Sequence, residues 1–210
     1  MEPIHKYVKR NKLKNSVSAL FFCCTGSNDL FLPHTIIYPI IYQAQIGVKK
    51  LKISIYSRKS IESLLEKDLP ENAAVISFYD PPGKFRNAEY RPVDYSAKTN
   101  CVFQVALHDI DLAVLPKYHL TYETYFPEAD DLAEFIFNAK REGKDIICQC
   151  EYGESRSSGC AAAIHEYFYK DGIKIFADYR YYPNQMVYHK VYDALEKYGV
   201  ENNVIRESGE

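Results

Sequence analysis

The sequence predicts an α/β fold, with a central, mainly parallel sheet flanked by helices on both faces. Strand-length apolar runs alternate with helix-length amphipathic stretches from about residue 50 to residue 197, and that alternation favours crossover units over hairpins. Several of the runs also end in turn-forming or charged residues. In such sheets ligands bind beyond the carboxyl ends of the strands.

Residues 1–47 stand apart. Segments 21–24 and 36–41 are apolar, 25–28 is turn-like, and no repeat links them to the rest, so they are read as an N-terminal extension packing on the core. The main domain is expected over 48–205, with a polar tail at 206–210. Within the domain, 50–56 alternates apolar and polar residues like a half-buried strand, and 57–65 follows with helical spacing and Ser57 near its start. The β-branched and aromatic run 73–79 is a second strand, closed by Asp80, Pro81, Pro82 and Gly83. A third, 101–107, releases into His108, Asp109, Ile110 and Asp111.

No clean period marks 112–126. A helix is expected over 127–141, with Pro127, Glu128, Asp130 and Asp131 at its positive end and Leu132, Phe135 and Ile136 on one face, before Gly143 ends it. Segment 145–148 is a short buried strand. A helix then spans 157–170, with Ala161, Ala162, Ile164 and Phe168 available for packing and Gly172 beyond its end. A final amphipathic helix covers 183–197.

A chain of 210 residues buries enough apolar surface to fold as one domain without covalent staples. Its 26 basic and 28 acidic residues are well mixed and leave a formal charge of -2, so no electrostatic footprint for nucleic acid or an anionic membrane exists. The six cysteines lack framework spacing, which fits a reducing compartment and a cytoplasmic location. Residues 1–15 are basic and polar, and Thr25, Ser27, Asn28 and Asp29 interrupt the next apolar patch, so neither a signal peptide nor a membrane span is expected. There are 19 tyrosines and no tryptophan, and Tyr179, Tyr181, Tyr182 and Tyr188 crowd the end of the chain. Amphipathic packing is the expected role, with an aromatic wall beside a ligand as the alternative.

The chemistry concentrates in the loop from Cys150 to Ser157. A thiol and a guanidinium, with five residues between them, bracket a short turn that follows an apolar run and precedes a helix. Gly153 supplies backbone freedom, Ser155 and Ser157 flank Arg156 with hydroxyls, and the helix start brings unpaired N–H groups over the loop. Arg156 can grip two oxygens of a tetrahedral oxyanion at once. Taken singly, Cys150 is an ordinary buried cysteine and Arg156 an ordinary ion-pairing residue. Strand before, glycine within and helix after favour a nucleophile beside an anion clamp.

The stretch Cys150-Glu151-Tyr152-Gly153-Glu154-Ser155-Arg156-Ser157 resembles the phosphate-binding signature of the cysteine-dependent protein tyrosine phosphatase superfamily, closest to its compact dual-specificity type and microbial relatives. The resemblance covers residues 50–197 by order of elements, and the loop alone is motif-specific. It implies a protein tyrosine phosphatase-like fold, a nucleophilic Cys150, and a phosphate held by Arg156 and the amides of Glu151, Tyr152, Gly153, Glu154 and Ser155. It also implies a phosphocysteine intermediate hydrolysed by water, with Ser157 assisting release of the sulfur. Gln149 stands where these proteins usually have histidine and is expected to support the loop by donating a hydrogen bond. Glu151 and Glu154 make a highly phosphorylated inositol or phosphoinositide a poorer substrate than phosphotyrosine in a peptide.

Such a reaction needs a carboxylic acid for the leaving oxygen. The family places it on a loop after a strand upstream of the nucleophile. Asp109, directly at the end of the third strand, is the first choice and Asp111 the alternative; a turn or capping carboxylate is the ordinary role for whichever is not used. Asp130 and Asp131 belong to a helix's first turn. No histidine or cysteine spacing matches a metal site, so no metal or cofactor is expected. Cys148 and Cys160 are expected to pack as small side chains, with capture of an oxidised Cys150 as the alternative. The leading function is hydrolysis of phosphotyrosine, with phosphoserine and phosphothreonine also open, on a phosphorylated protein or a small phosphate ester. A rhodanese-like or arsenate-reductase-like enzyme and a non-catalytic phospho-binding module are the alternatives, and oligomeric state is left open.

Overall fold

The structure, a computed structural model, describes residues 50–82 and 90–203; the expected extension at 1–47 and the tail at 206–210 lie outside them. Among the described residues four strands, β1 (Ile53–Ser57), β2 (Ala73–Tyr79), β3 (Val102–Ala106) and β4 (Asp145–Cys150), form one sheet in the order β1-β4-β2-β3. Every pairing is parallel. The helices are α1 (Arg58–Lys67), α2 (Tyr122–Tyr125), α3 (Ala129–Arg141), α4 (Arg156–Tyr169), α5 (Ile173–Phe176) and α6 (Gln185–Glu201). The expected α/β architecture is therefore observed.

Side-chain alternation along the central strands feeds two cores. Ala74, Ile76 and Phe78 of β2, with Ile146 and Cys148 of β4, pack against Leu132, Ile136, Ile164, Val187 and Leu195 from α3, α4 and α6. Ala73, Val75 and Ile147 turn the other way, toward Ile61 of α1 and the segment carrying Val93 and Tyr95. Burial on both faces is why β2 reads as an apolar run interrupted only by Ser77. Helix α4 is buried from Arg156 through Ile164, and a stretch of small residues from Ser157 to Ala163 lets it lie close to its neighbours.

The largest departure from expectation is β4, which runs to Cys150 rather than ending at Cys148. Gln149 looks like a break in an apolar run, but it pairs in register with Tyr56 and Ser77, and Cys150 pairs with Ser57. Its polar side chain is tolerated because a buried hydrogen-bond network receives it, as described below. The final helix extends four residues past its expected end, to Glu201. Segment 112–126 shows no period because it holds only a 3-10 turn at Leu115–Tyr118 and the one-turn α2, both too short to display one. Among the described residues no helix is long and apolar enough to cross a membrane.

Parallel pairing places the carboxyl ends of all four strands along one edge of the sheet. Ser57, Tyr79, Ala106 and Cys150 end their strands there, so Asp80, Leu107 and the loop after Cys150 emerge side by side.

Candidate active site

The loop between β4 and α4 is fixed by its backbone. Gly153 has φ +75°, and a Cβ there would sit 2.6 Å from the backbone nitrogen of Ser57 and 2.9 Å from the carbonyl carbon of Tyr56. Both the left-handed conformation and the close approach to β1 therefore demand glycine. Arg58 N–H donates to the Glu151 carbonyl at 3.1 Å, tying the start of the loop to the end of β1. At the other end, Tyr182 N–H donates to Glu154 O at 2.9 Å and Asn184 N–H to Ser155 O at 3.1 Å. The Ser158 hydroxyl also bonds Glu154 O. Gly153→Ala is expected to lower the unfolding free energy by about 2 kcal/mol, read from the midpoint of denaturant unfolding, since strained φ and a backbone overlap act together. A midpoint equal to wild type would mean that the loop is free to relax.

Arg156 opens α4 and is only 2% exposed, unusual burial for a cation. One terminal nitrogen donates to Leu107 O at 2.7 Å and meets Asp80 Oδ1 at 2.7 Å, so the ends of β3 and β2 jointly hold the guanidinium. Its Nε is buried without a hydrogen-bond partner, with Asp109 Oδ2 3.7 Å away. A buried N–H left unpaired costs free energy unless a ligand takes it up. An oxyanion entering the loop would do so.

Cys150 is buried, and its Sγ lies 3.0 Å from Ser157 Oγ, in the first turn of α4. Gln149 sits on the opposite face of the strand. Its Oε1 accepts from Ser77 Oγ at 2.7 Å and from Tyr95 at 3.2 Å, while its Nε2 donates to the Cys150 carbonyl at 2.8 Å. Burial pushes the Tyr95 phenol up to about 12, so it remains a donor. Gln149 thus makes the donation to the loop backbone expected of it.

Asp109 and Asp111 occupy different environments. Asp109 faces the loop, with its side chain 32% exposed; Oδ1 accepts from Ser155 Oγ at 2.6 Å and from Asn184 Nδ2 at 2.9 Å. Asp111 Oδ1 instead accepts from its own turn, at Val114 N–H, 3.2 Å away. The segment carrying both aspartates is anchored by the Tyr125 hydroxyl, which donates to His108 O at 2.7 Å. Burial, with the positive charge of Arg156 adding to it, holds His108 below the ordinary imidazole value. Asp130 and Asp131 lie in the first turn of α3, and Asp130 pairs with Lys197.

The two loop glutamates also differ. Glu151 accepts from the Tyr90 hydroxyl at 3.1 Å and lies 3.9 Å from an Arg58 terminal nitrogen, whereas Glu154 and Tyr152 are exposed. Cys148 and Cys160 are fully buried, and burial, with the neighbouring Cys148 adding to it, drives the Cys160 thiol well up. Of the late tyrosines, Tyr188 packs against Phe176 and Tyr192, but Tyr179 and Tyr182 are exposed. Packing accounts for the first and not for the other two.

Sequence reasoning missed Asp80, Asn184, Tyr125 and the pairing of Glu151. Asp80 carried a usable signal. It directly follows β2 as Asp109 follows β3, and in a parallel sheet both strand ends face the cysteine loop. Asn184 carried only the signature of a helix cap.

No family model and no curated protein matches this chain. Among solved structures it is similar to PTPMT1, solved in complex with PI(5)P, at 13% identity and a TM-score of 0.43 over 72% of this chain and 94% of that one. It is similar to human DUSP28 at 13% identity and a TM-score of 0.43 over 71% and 94%. A third likeness is to the PTP-2 phosphatase of Cydia pomonella, at 12% identity and a TM-score of 0.42 over 68% and 84%.

Proposed function

We propose that the protein is a phosphatase that cleaves phosphotyrosine through a cysteinyl-phosphate intermediate. One observation carries the reading: a buried arginine whose Nε has no hydrogen-bond partner shares a short loop with a cysteine whose Sγ touches the Ser157 hydroxyl at 3.0 Å. Arg156 and the first amides of α4 bind the phosphate oxygens. The Cys150 thiolate attacks phosphorus as the bond to the leaving oxygen breaks, and Asp109 gives that oxygen its proton. Water then attacks the phosphocysteine, losing its proton to Asp109. The sulfur–phosphorus bond breaks, and the Ser157 hydroxyl stabilises the thiolate by donating to it.

The charge around the cradle favours a single phosphate monoester. Arg156 is already matched by Asp80, and Asp109, Glu151 and Glu154 add negative charge nearby, which disfavours ligands carrying several phosphates. A phosphorylated tyrosine in a protein or peptide meets that condition.

Acid quench during turnover of an aryl phosphate is expected to trap a phosphoryl group on Cys150. If reduced wild type neither turns over nor is labelled, the phosphatase reading falls. Thiocyanate formed from thiosulfate and cyanide would point to sulfur transfer, and phosphopeptide affinity without turnover to a binding module. Asp109→Ala is expected to lower kcat/KM on phenyl phosphate about 10²-fold, with Asp111→Ala within about twofold of wild type. The reverse order would move the acid to Asp111.

A further inference from the structure

Resting on that reading, we propose that Asn184 is a positioning residue, which orients the Asp109 carboxyl so that its Oδ2 delivers the proton to the leaving group. Asn184 is the N-cap of α6, and its Oδ1 accepts from Val187 N–H at 3.0 Å. That bond fixes which end of the amide is which: the oxygen faces the helix and the NH2 must face the other way. The Nδ2 donates twice, to Asp109 Oδ1 at 2.9 Å and to the Ile110 carbonyl at 3.0 Å.

A helix cap needs only the acceptor, and serine or aspartate supplies one equally well. The two donations to the acid segment are additional. Their effect on Asp109 is specific, because a hydroxyl can donate or accept but an amide nitrogen only donates. Ser155 Oγ, 2.6 Å from Asp109 Oδ1, could accept a proton held there by rotating its own hydrogen away. The Asn184 NH2 cannot. With Asn184 donating to Oδ1, the carboxyl proton sits on Oδ2, the oxygen 3.7 Å from Arg156 Nε and hence beside the anion cradle.

The backbone of the same residue fixes its distance from the loop. Asn184 N–H donates to Ser155 O, and a Cβ on Gly159 would meet Asn184 O at 2.5 Å, so α6 begins directly against α4. These contacts survive any side-chain change at 184. They allow the amide's contribution to be tested without detaching the helix.

The test is the leaving-group dependence of kcat/KM, which reports only the steps up to departure of the leaving oxygen. A phenol of low acidity needs the proton from Asp109, and a strongly acidic nitrated or fluorinated phenol does not. In Asn184→Ser, which retains a capping hydroxyl, kcat/KM on phenyl phosphate is expected to fall about tenfold and on the activated aryl phosphate by no more than about twofold. In an Asp109→Ala background the same substitution should have no further effect on phenyl phosphate, since residues acting through one another are not additive. Equal losses on both substrates, or an undiminished loss in the Asp109→Ala background, would overturn the proposal while leaving the phosphatase reading intact. Should Asn184→Ser fail to fold, Asn184→Asp keeps the cap and removes the donors, and the same ratio of losses decides. If wild type is no faster than Cys150→Ser on the activated substrate, the phosphatase reading fails first and the proposal with it.

Discussion

Reduced protein carrying Cys150→Ser is expected to hydrolyse an aryl phosphate no faster than buffer alone, a loss on the order of 10⁴-fold or more. The substitution conserves shape, and the hydroxyl at 150 would still face Ser157 Oγ. What it removes is a nucleophile that can ionise without a dedicated base. A serine needs such a base in contact with it, and the group that meets the side chain at 150 is another hydroxyl, Ser157 Oγ at 3.0 Å. The variant should therefore bind inorganic phosphate by titration calorimetry about as well as wild type while failing to turn over substrate. That pairing separates lost chemistry from lost folding. Turnover equal to wild type would remove Cys150 from the reaction altogether.

Arg156→Lys is the second large effect expected, a fall in kcat/KM of about 10³-fold with weakened phosphate binding. The guanidinium works in two directions. One terminal nitrogen is used by Leu107 O and Asp80, and Nε is left for the ligand. A planar fork can do both because its donors are spread over three nitrogens in fixed directions. An ammonium has a single nitrogen, so in satisfying Asp80 and Leu107 it would be drawn away from the loop, and in reaching the phosphate it would leave Asp80 without its cation. A loss smaller than tenfold would mean that Arg156 serves Asp80 structurally and that loop amides alone hold the anion.

Much of the fold was legible because its signals are local. The run 73–79 coincides with β2, the expected 127–141 helix largely with α3, and the cysteine loop lies at a strand-to-helix junction as its residues imply. Elements whose stability comes from neighbours were harder to see. Gln149 belongs to β4 only because Ser77, Tyr95 and the Cys150 carbonyl satisfy its amide, and none of those partners is evident from the run 145–148. The short α2 and α5 lack the length to show a period.

The site divides along the same line. Cys150, Gly153, Arg156 and Ser157 could be picked out from sequence because one loop needs all four within eight residues, and chain proximity alone brings them together. Asp80, Leu107, Asp109 and Asn184 are far from the loop in sequence, and Asp109 was named only by where its strand ends. The parallel sheet brings the first three to the cysteine through the shared edge of its strands, and the close packing of α4 against the start of α6 brings the fourth. The sequence by itself thus determined the strand–loop–helix that presents the thiol and the guanidinium. Only the tertiary structure decided what holds the guanidinium in place, which aspartate faces the loop and which turns away, and which residue orients that aspartate. Those outcomes depend on hydrogen bonds between strand ends and helix starts, whose partners are set by packing and not by neighbourhood along the chain.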